Sequence, residues 1–355
     1  MRSEKGHCAW FCCLLISAIG VRSILAEPTS PAASAPGDAK LLNVKSQIAD
    51  LKADISDLNS QSAPASQPVG KVVTFQPGVR IDYRQRQVEL DARVTLRQGL
   101  LELFACSPRT REYESLICIQ ARPLVAYQAL GLLGLTPGHP LRINDKGEED
   151  LPDGQPVEMD VRYQADGRAR TVPIESWMLR SDTNAPFERQ PWVFAGSYPV
   201  ENGAIAADEE GTIVALVDFS SAIIALPRLH TASNENLWLK PNTSAIPAVN
   251  TPCALIVRAG PWRLRMDETG RLTLGGRPIT MTDTVRRLRQ AGRDDPNTRV
   301  HLETAPDCPA LDRQALRDLL DGLGVHPVER PASRPSAVVA ADSQPAGAGA
   351  ANVTR

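Results

Sequence analysis

Apolar and polar positions along this chain follow three different rhythms. Between residues 39 and 61, Leu41, Val44, Ile48, Leu51, Ile55 and Leu58 recur at alternating steps of three and four. That spacing predicts one amphipathic helix, either lying on a neighbouring domain or pairing weakly with a second copy as a parallel coiled coil. With fewer than three heptads, such a helix is marginal on its own. From residue 71 the period becomes two. Val79, Ile81 and Tyr83 alternate with polar residues, as do Val88, Leu90, Ala92 and Val94, which predicts a hairpin turning at Arg84 to Gln87.

The same reading predicts strands at Leu101 to Cys106 and Ser115 to Ile119, on either side of the charged loop SPRTREYE. Pro123 opens a helix, PLVAYQALGLLGL, and Thr136-Pro137-Gly138 ends it. Val157, Met159, Val161 and Tyr163 alternate up to Asp166-Gly167, a hairpin turn into Ala169 to Ile174. Strands follow at Trp192 to Ser197, Ala204 to Ala207 and Gly211 to Val217, with turns at Asn202-Gly203 and Glu209 to Gly211. Residues 71–250 therefore read as a β-rich domain with one main helix, ending in a long polar loop over 228–252.

The third rhythm covers residues 253–329. Ala254 to Val257 reads as a strand, and Trp262 to Met266 with Arg271 to Leu274 as a hairpin. A helix, TVRRLRQAG, capped by Thr282-Asp283, precedes the strand RVHLET, a helix from Pro309 to Gly322 and a strand from Val325 to Val328. The fold class is α+β: a β-rich central domain followed by a small β-hairpin–α–β–α–β sandwich. Residues 27–38 and 62–70 are small and rich in proline, as linkers are. Residues 330–355 hold almost no large apolar side chain and are expected to be disordered.

The first 26 residues change the picture of where these domains live. Arg2 and Lys5 precede an uncharged run from Cys8 to Val21, and small residues follow. This is the layout of a cleaved secretory signal; the alternative is an uncleaved membrane anchor. Export places the mature chain in the periplasm or outside the cell. Three of the seven cysteines leave with the signal, and Cys106, Cys118, Cys253 and Cys308 remain. Four cysteines allow three connectivities. Chain order favours Cys106–Cys118 and Cys253–Cys308, and four free thiols are the other outcome.

Charge and composition narrow the partners. The net charge of −2 offers no field that would attract nucleic acid, and aromatics at 5% offer few stacking platforms. The five histidines are scattered with no pair at helical spacing, so no metal is expected, and no phosphate-cradling glycine loop or nucleophile elbow occurs. No cofactor is implied. The loop residues Arg111, Glu112, Tyr113 and Glu114 are the candidate contact surface. Ser197, after a strand, and Asp208, in the carboxylate run Asp208 to Glu210, are the candidate pocket.

Several segments carry a resemblance. LELFACSPRTREYESLICIQARPLVAYQALGLLGLTPG, LPDGQPVEMDVRY, WVFAGS and AADEEGTIVAL, in that order, resemble the bacterial exported YdjY-domain proteins. The resemblance implies a β-rich domain and export, and no substrate. Where that family tends to carry a His-Glu pair, this chain has Tyr113-Glu114, so no histidine-dependent site is expected. Residues 253–329, with GRLTLGGRPIT and RVHLETAPDC, resemble the periplasmic domain of ExbD/TolR-type biopolymer-transport proteins. That resemblance implies a scaffold for envelope contacts. Together these readings lead us to expect a non-enzymatic exported module that binds an envelope protein or an extracellular component. The alternative is a secreted hydrolase-like enzyme with a carboxylate site near Glu114 or Asp208.

Overall fold

A computed structural model describes residues 71–329 apart from 231–236, 306, 307 and 309. The export segment, the helix expected over 39–61 and the tail after 329 lie outside the described residues. In chain order the elements are β1 (Val72–Gln76), β2 (Val79–Asp82), β3 (Gln87–Val94), β4 (Leu103–Cys106), β5 (Ser115–Ile119), α1 (Pro123–Leu132), β6 (Pro137–His139), β7 (Arg142–Ile143) and β8 (Glu149–Asp150). Then follow β9 (Asp153–Ala165), β10 (Arg168–Pro173), β11 (Met178–Arg180), β12 (Trp192–Phe194), α2 (Ala206–Glu210), β13 (Thr212–Ala215), β14 (Ile224–Ala225), β15 (Leu239–Pro241) and β16 (Pro252–Ala259). The last group is β17 (Trp262–Met266), β18 (Leu272–Leu274), β19 (Arg277–Ile279), α3 (Met281–Asp294), β20 (Arg299–Thr304), α4 (Ala310–Gly322) and β21 (His326–Glu329).

Eight strands close into a barrel in the order β3-β16-β9-β12-β14-β13-β4-β5, with β5 returning to β3. The neighbours are antiparallel except for β13–β14 and β4–β5, which are parallel. The hairpin turning at Asp166-Gly167 is present, and its second strand, β10, lies outside the ring on β9. The alternating residues Val88, Leu90, Ala92 and Val94 all enter the large core, together with Met159, Val161, Leu255 and Val257 from the strands alongside. Ala126, Ala129 and Leu130 of α1 bury into the same core, as does Trp177, whose ring lies against Tyr163 and Phe104.

Three expectations change. First, β16 sits in the barrel between β3 and β9, from Pro252↔Arg93 to Ala259↔Val157. The small domain therefore starts at Trp262 and not at Cys253. Its core-facing pattern resembled that of any other apolar strand, and only long-range pairing assigns it. Second, Ala204 to Ala207 is not a strand, and Glu209 to Gly211 is not a hairpin turn. The segment forms the short helix α2, which Gly211 ends in the left-handed conformation at φ +78°. Third, Thr280 and not Thr282 caps α3. Its hydroxyl accepts from the Asp283 N–H at 3.1 Å and donates to the Asp283 carboxylate at 2.8 Å.

The small domain is a five-stranded sheet in the order β19-β18-β17-β20-β21, with β17, β20 and β21 parallel. A third short strand, β19, follows the hairpin that the sequence pattern indicated. Leu288 of α3 and Leu316, Leu319 and Leu320 of α4 pack with Leu264, Met266, Val300 and Leu302 of the sheet, in a core separate from that of the barrel.

The crossing of β6 over β9 depends on two glycines. A Cβ on Gly154, at φ +148°, would lie 2.1 Å from the Phe194 carbonyl oxygen, and one on Gly138 would lie 2.2 Å from the Asp153 carbonyl oxygen. Both obstacles are backbone and cannot rotate away. We expect Gly154→Ala to cost about 2–3 kcal/mol of folding stability, read as a lower denaturation midpoint with unchanged slope.

Candidate functional site

Where the barrel meets the small domain, the contacts are ionic. Arg86, held at φ 51° in the β2–β3 turn, reaches the Asp295 carboxylate at 3.1 Å and the Asp294 carbonyl at 3.2 Å. A cation there suits the negative end of α3. From the other side, Arg277 reaches Asp150 at 2.5 Å and Asp153 at 3.5 Å, Arg287 reaches Asp153 at 2.8 Å, and Arg299 reaches Glu158 at 3.6 Å. Burial opposes charge on Asp150 and Asp153. Arg142 and Arg277 at Asp150, and Arg287 at Asp153, overcome it and hold both carboxyls below the ordinary aspartate range.

Beside this seam opens a cleft of about 830 Å³. His139, Asp150 and Asp153 line it from the barrel side; Arg271, Arg277, Asp283, Arg286 and Arg287 line it from the small domain, over an apolar floor of Leu272, Leu274, Ile279 and Met281. Each carboxylate already has arginine partners: Asp150 has Arg142 and Arg277, with the His139 ring at 3.4 Å, Asp153 has Arg277 and Arg287, and Asp283 has Arg286. Arg271 is exposed, and none of the side-chain hydrogen bonds or ion pairs described involves its guanidinium. A second hollow of about 280 Å³, sharing Asp153, Arg286 and Arg287 with the cleft, runs on past Gln155, Trp262 and Gln290.

The residues singled out from the sequence fall into two other places. Glu112, Tyr113 and Glu114 form a single 3-10 turn in the loop joining the parallel strands β4 and β5. The side chain of Tyr113 is exposed, whereas Glu114 is buried. Arg111 binds Glu114 at 2.7 Å, lies 3.6 Å from Glu102, and stacks over the Phe219 ring at 4.7 Å. Glu112 accepts from Arg93 at 3.0 Å and from the Arg109 N–H at 3.1 Å, and is held below the ordinary glutamate range, mainly by that backbone donor. Burial and the Glu114 carboxylate push Glu102 above its ordinary value.

Ser197 and Asp208 each accept a backbone hydrogen bond, as structural groups. The Ser197 hydroxyl accepts from the Ala207 N–H at 3.1 Å. The Asp208 carboxylate accepts from the Leu124 N–H at 2.9 Å in the first turn of α1, and from Arg122 at 2.9 Å. Asp208 therefore caps α1 from a distant part of the chain, and neither residue lines the cleft or its neighbouring hollow. Neither hollow therefore gathers Ser197 or Asp208, the candidate pocket residues. Cys106, Cys118 and Cys253 are free, and all four cysteines are buried. Cys253 belongs to the barrel core and Cys308 to the small-domain core, so the expected Cys253–Cys308 pairing is not formed.

The cleft itself was missed from the sequence. Of its four arginines, Arg286 and Arg287 lie on α3 while Arg271 and Arg277 flank β18, and the signal available in the sequence was the abundance of arginine in 263–299. A stacked group was also missed. The Trp238 ring stacks parallel to His230 at 3.9 Å and carries the Arg228 guanidinium over it at 4.9 Å. Burial and the Arg228 charge push His230 down to about 4, which leaves it neutral at neutral pH.

Two outcomes test these assignments. Asp208→Ala should lose about 1–2 kcal/mol, the usual worth of an N-cap, measured by urea denaturation. Glu102 is protonated more readily in the folded chain than in the unfolded one. Its penalty is absent below the unfolded value and appears as pH rises through the folded one. Glu102→Gln should therefore raise Tm at pH 7, and the gain should vanish by pH 4, followed by thermal melts across that range.

Comparison with known proteins agrees with the barrel geometry. The YdjY domain matches residues 79–258, slightly more than half of the chain, and this span runs from the start of β2 nearly to the end of β16. No curated protein matches the chain. Because the match covers the whole closed ring of strands, the chain belongs to the YdjY-domain family.

Proposed function

We propose that this chain is an exported, non-enzymatic binding module of the bacterial envelope, and that the cleft between barrel and small domain receives an anionic group of its ligand or partner. The observation that carries this reading is the surplus of guanidinium in the cleft. Asp150, Asp153 and Asp283 are matched by arginines within the protein, while Arg271 faces the same space without an ion pair to any of the three, its charge acting on the neighbouring Asp267. Four guanidinium groups against three carboxylates leave a net positive seat over an apolar floor. A volume of about 830 Å³ falls in the range of ligand pockets, about 300–1,000 Å³. Planar guanidinium forks suit the paired oxygens of carboxylate, phosphate or sulfate.

Export rests on the charge and apolar pattern of the first 26 residues, with residues 39–61 supplying weak self-association. None of the helices among the described residues is long and apolar enough to cross a membrane. An ExbD/TolR-like role for residues 262–329 would make the small domain the half that touches other envelope components. The alternative hydrolase reading draws on one observation, the raised Glu102 carboxyl beside Glu114. The loss of a free Asp208 carboxylate counts against it.

Titration of the full chain with citrate and with inorganic phosphate, followed by Tm, tests the seat. At least one should raise the wild-type Tm, and the shift should fall at least about tenfold in apparent affinity for Arg271→Ala and Arg286→Ala, the loss of about 1.4 kcal/mol expected of a charged hydrogen bond. No shift in the wild type, or equal shifts in the variants, would remove the cleft from this reading.

A further inference from the structure

The parallel pairing of β4 with β5 places Ala105 opposite Ile117 and Cys106 opposite Cys118. Adjacent strands lie about 4.8 Å apart, inside the span of about 4.4–6.8 Å between Cα atoms that a disulfide bridges. Both side chains enter the same small cluster, with Leu103, Ala215 and Phe219, so they lie on one side of the sheet. No third cysteine enters this cluster, since Cys253 and Cys308 sit in separate cores. We infer that Cys106 and Cys118 form a disulfide that fastens the ends of the loop carrying Arg111 to Glu114.

The surroundings of the two sulfurs suit this chemistry. Cys118 donates to the Glu112 carboxylate at 3.4 Å. The Cys118, Ser115 and Thr110 donors favour the Cys106 thiolate against burial and hold that thiol below its usual range. Room for the Thr110 side chain comes from Gly211, where a Cβ would lie 2.0 Å from the Thr110 hydroxyl oxygen. In the exchange, the Cys106 thiolate attacks the Cys118 sulfur of a mixed disulfide that Cys118 has formed with an external disulfide. The S–S bond between Cys106 and Cys118 forms and the bond to the external group breaks. Overall, two protein thiols give up two electrons and two protons, and one external disulfide becomes two thiols. The thiols are buried, so the bond closes as the chain folds.

The bridge would also change the loop. Glu112 loses its hydrogen bond from Cys118 and keeps those from Arg93 and the Arg109 N–H. The turn Glu112–Glu114 is then held between a covalent link and the Arg111–Glu114 pair.

The test uses the full chain refolded in glutathione buffers of graded oxidation, then unfolded, alkylated and digested. Trypsin cuts after Arg109 and Arg111, so the two cysteines part unless they are bridged. A linked pair of peptides carrying Cys106 and Cys118, in most molecules under mildly oxidising conditions, is the expected result. A higher Tm of the oxidised chain, absent from the Cys106→Ala/Cys118→Ala variant, should accompany it. Recovery of both cysteines as singly alkylated peptides at every ratio would overturn the inference. So would glutathione adducts without the bridge, or links to Cys253 or Cys308. The peptide readout is on the wild-type chain and does not depend on the variant folding.

Discussion

The barrel depends on two strands that each divide one edge between two partners. β3 pairs with β16 along nearly its whole length on one side. On the other, residues 87–90 pair with β2 and residues 92–94 with β5. Asp91 stands at the division: its N–H donates to the Gly78 carbonyl at 2.8 Å, and its carbonyl accepts from the Gln120 N–H at 2.9 Å. On the far side of β16, β9 does the same, giving residues 155–157 to β12 and residues 160–165 to β10. The two branch points fall at opposite ends of the three-strand unit, which supplies the stagger that ring closure requires. The β2 and β10 strands flare away as flaps. Without that division β3 would carry only its hairpin, and the sheet would stay open with β5 as an exposed edge.

The same unit explains where the charge goes. The apolar face of β3, β16 and β9 is buried in the large core, so the intervening residues share the opposite face. There Glu89 receives Arg162 at 2.5 Å and Arg80 at 3.3 Å, and Asp160 receives Arg189 and Arg258. Burial disfavours the Glu89 carboxylate, and the two arginines more than offset it, holding its carboxyl below the ordinary range. This face is therefore a charged lattice between strands. Because Arg258 also reaches Glu158, and Glu158 reaches Arg299, the lattice runs on into the small domain.

Much of this architecture was legible in the sequence as elements and little of it as connections. Period-two runs such as Val88 to Val94 mark strands because one face must be apolar, and Pro123 marks a helix start because a first-turn N–H is dispensable. Alternation says nothing about partners. β16 was legible as a strand and misassigned to the following domain for that reason. Asp208 shows the same limit in the site: a carboxylate beside a glycine reads as an exposed turn or a catalytic acid, and its capping bond to Leu124 spans 84 residues. Cys106 and Cys118 are twelve positions apart in two short neighbouring strands, which leaves few ways for them to be far apart. The roles of Arg277 and Arg287 could not be read, because the carboxylates they bind, Asp150 and Asp153, lie more than a hundred residues earlier.

An ionic seam between two separately packed cores has consequences for binding. Each domain buries its own apolar residues, so the boundary has no need of hydrophobic closure. Its polar groups are free to be shared with a ligand. Asp150 and Asp153 have carboxyls below the ordinary range, so their contribution is complete above the unfolded value and is lost only as pH falls through the depressed folded one. The seam therefore persists through mildly acid conditions, and the arginines it uses stay occupied there. If the cleft receives an anion, that anion gains most by approaching the guanidinium that the seam leaves without an ion pair, at Arg271, and by sharing the outer edges of Arg286 and Arg287. The affinity of such a site is set by how far the protein's own carboxylates satisfy the arginines, so removing Asp153 would strengthen the field in the cleft and weaken the hold between domains in one step.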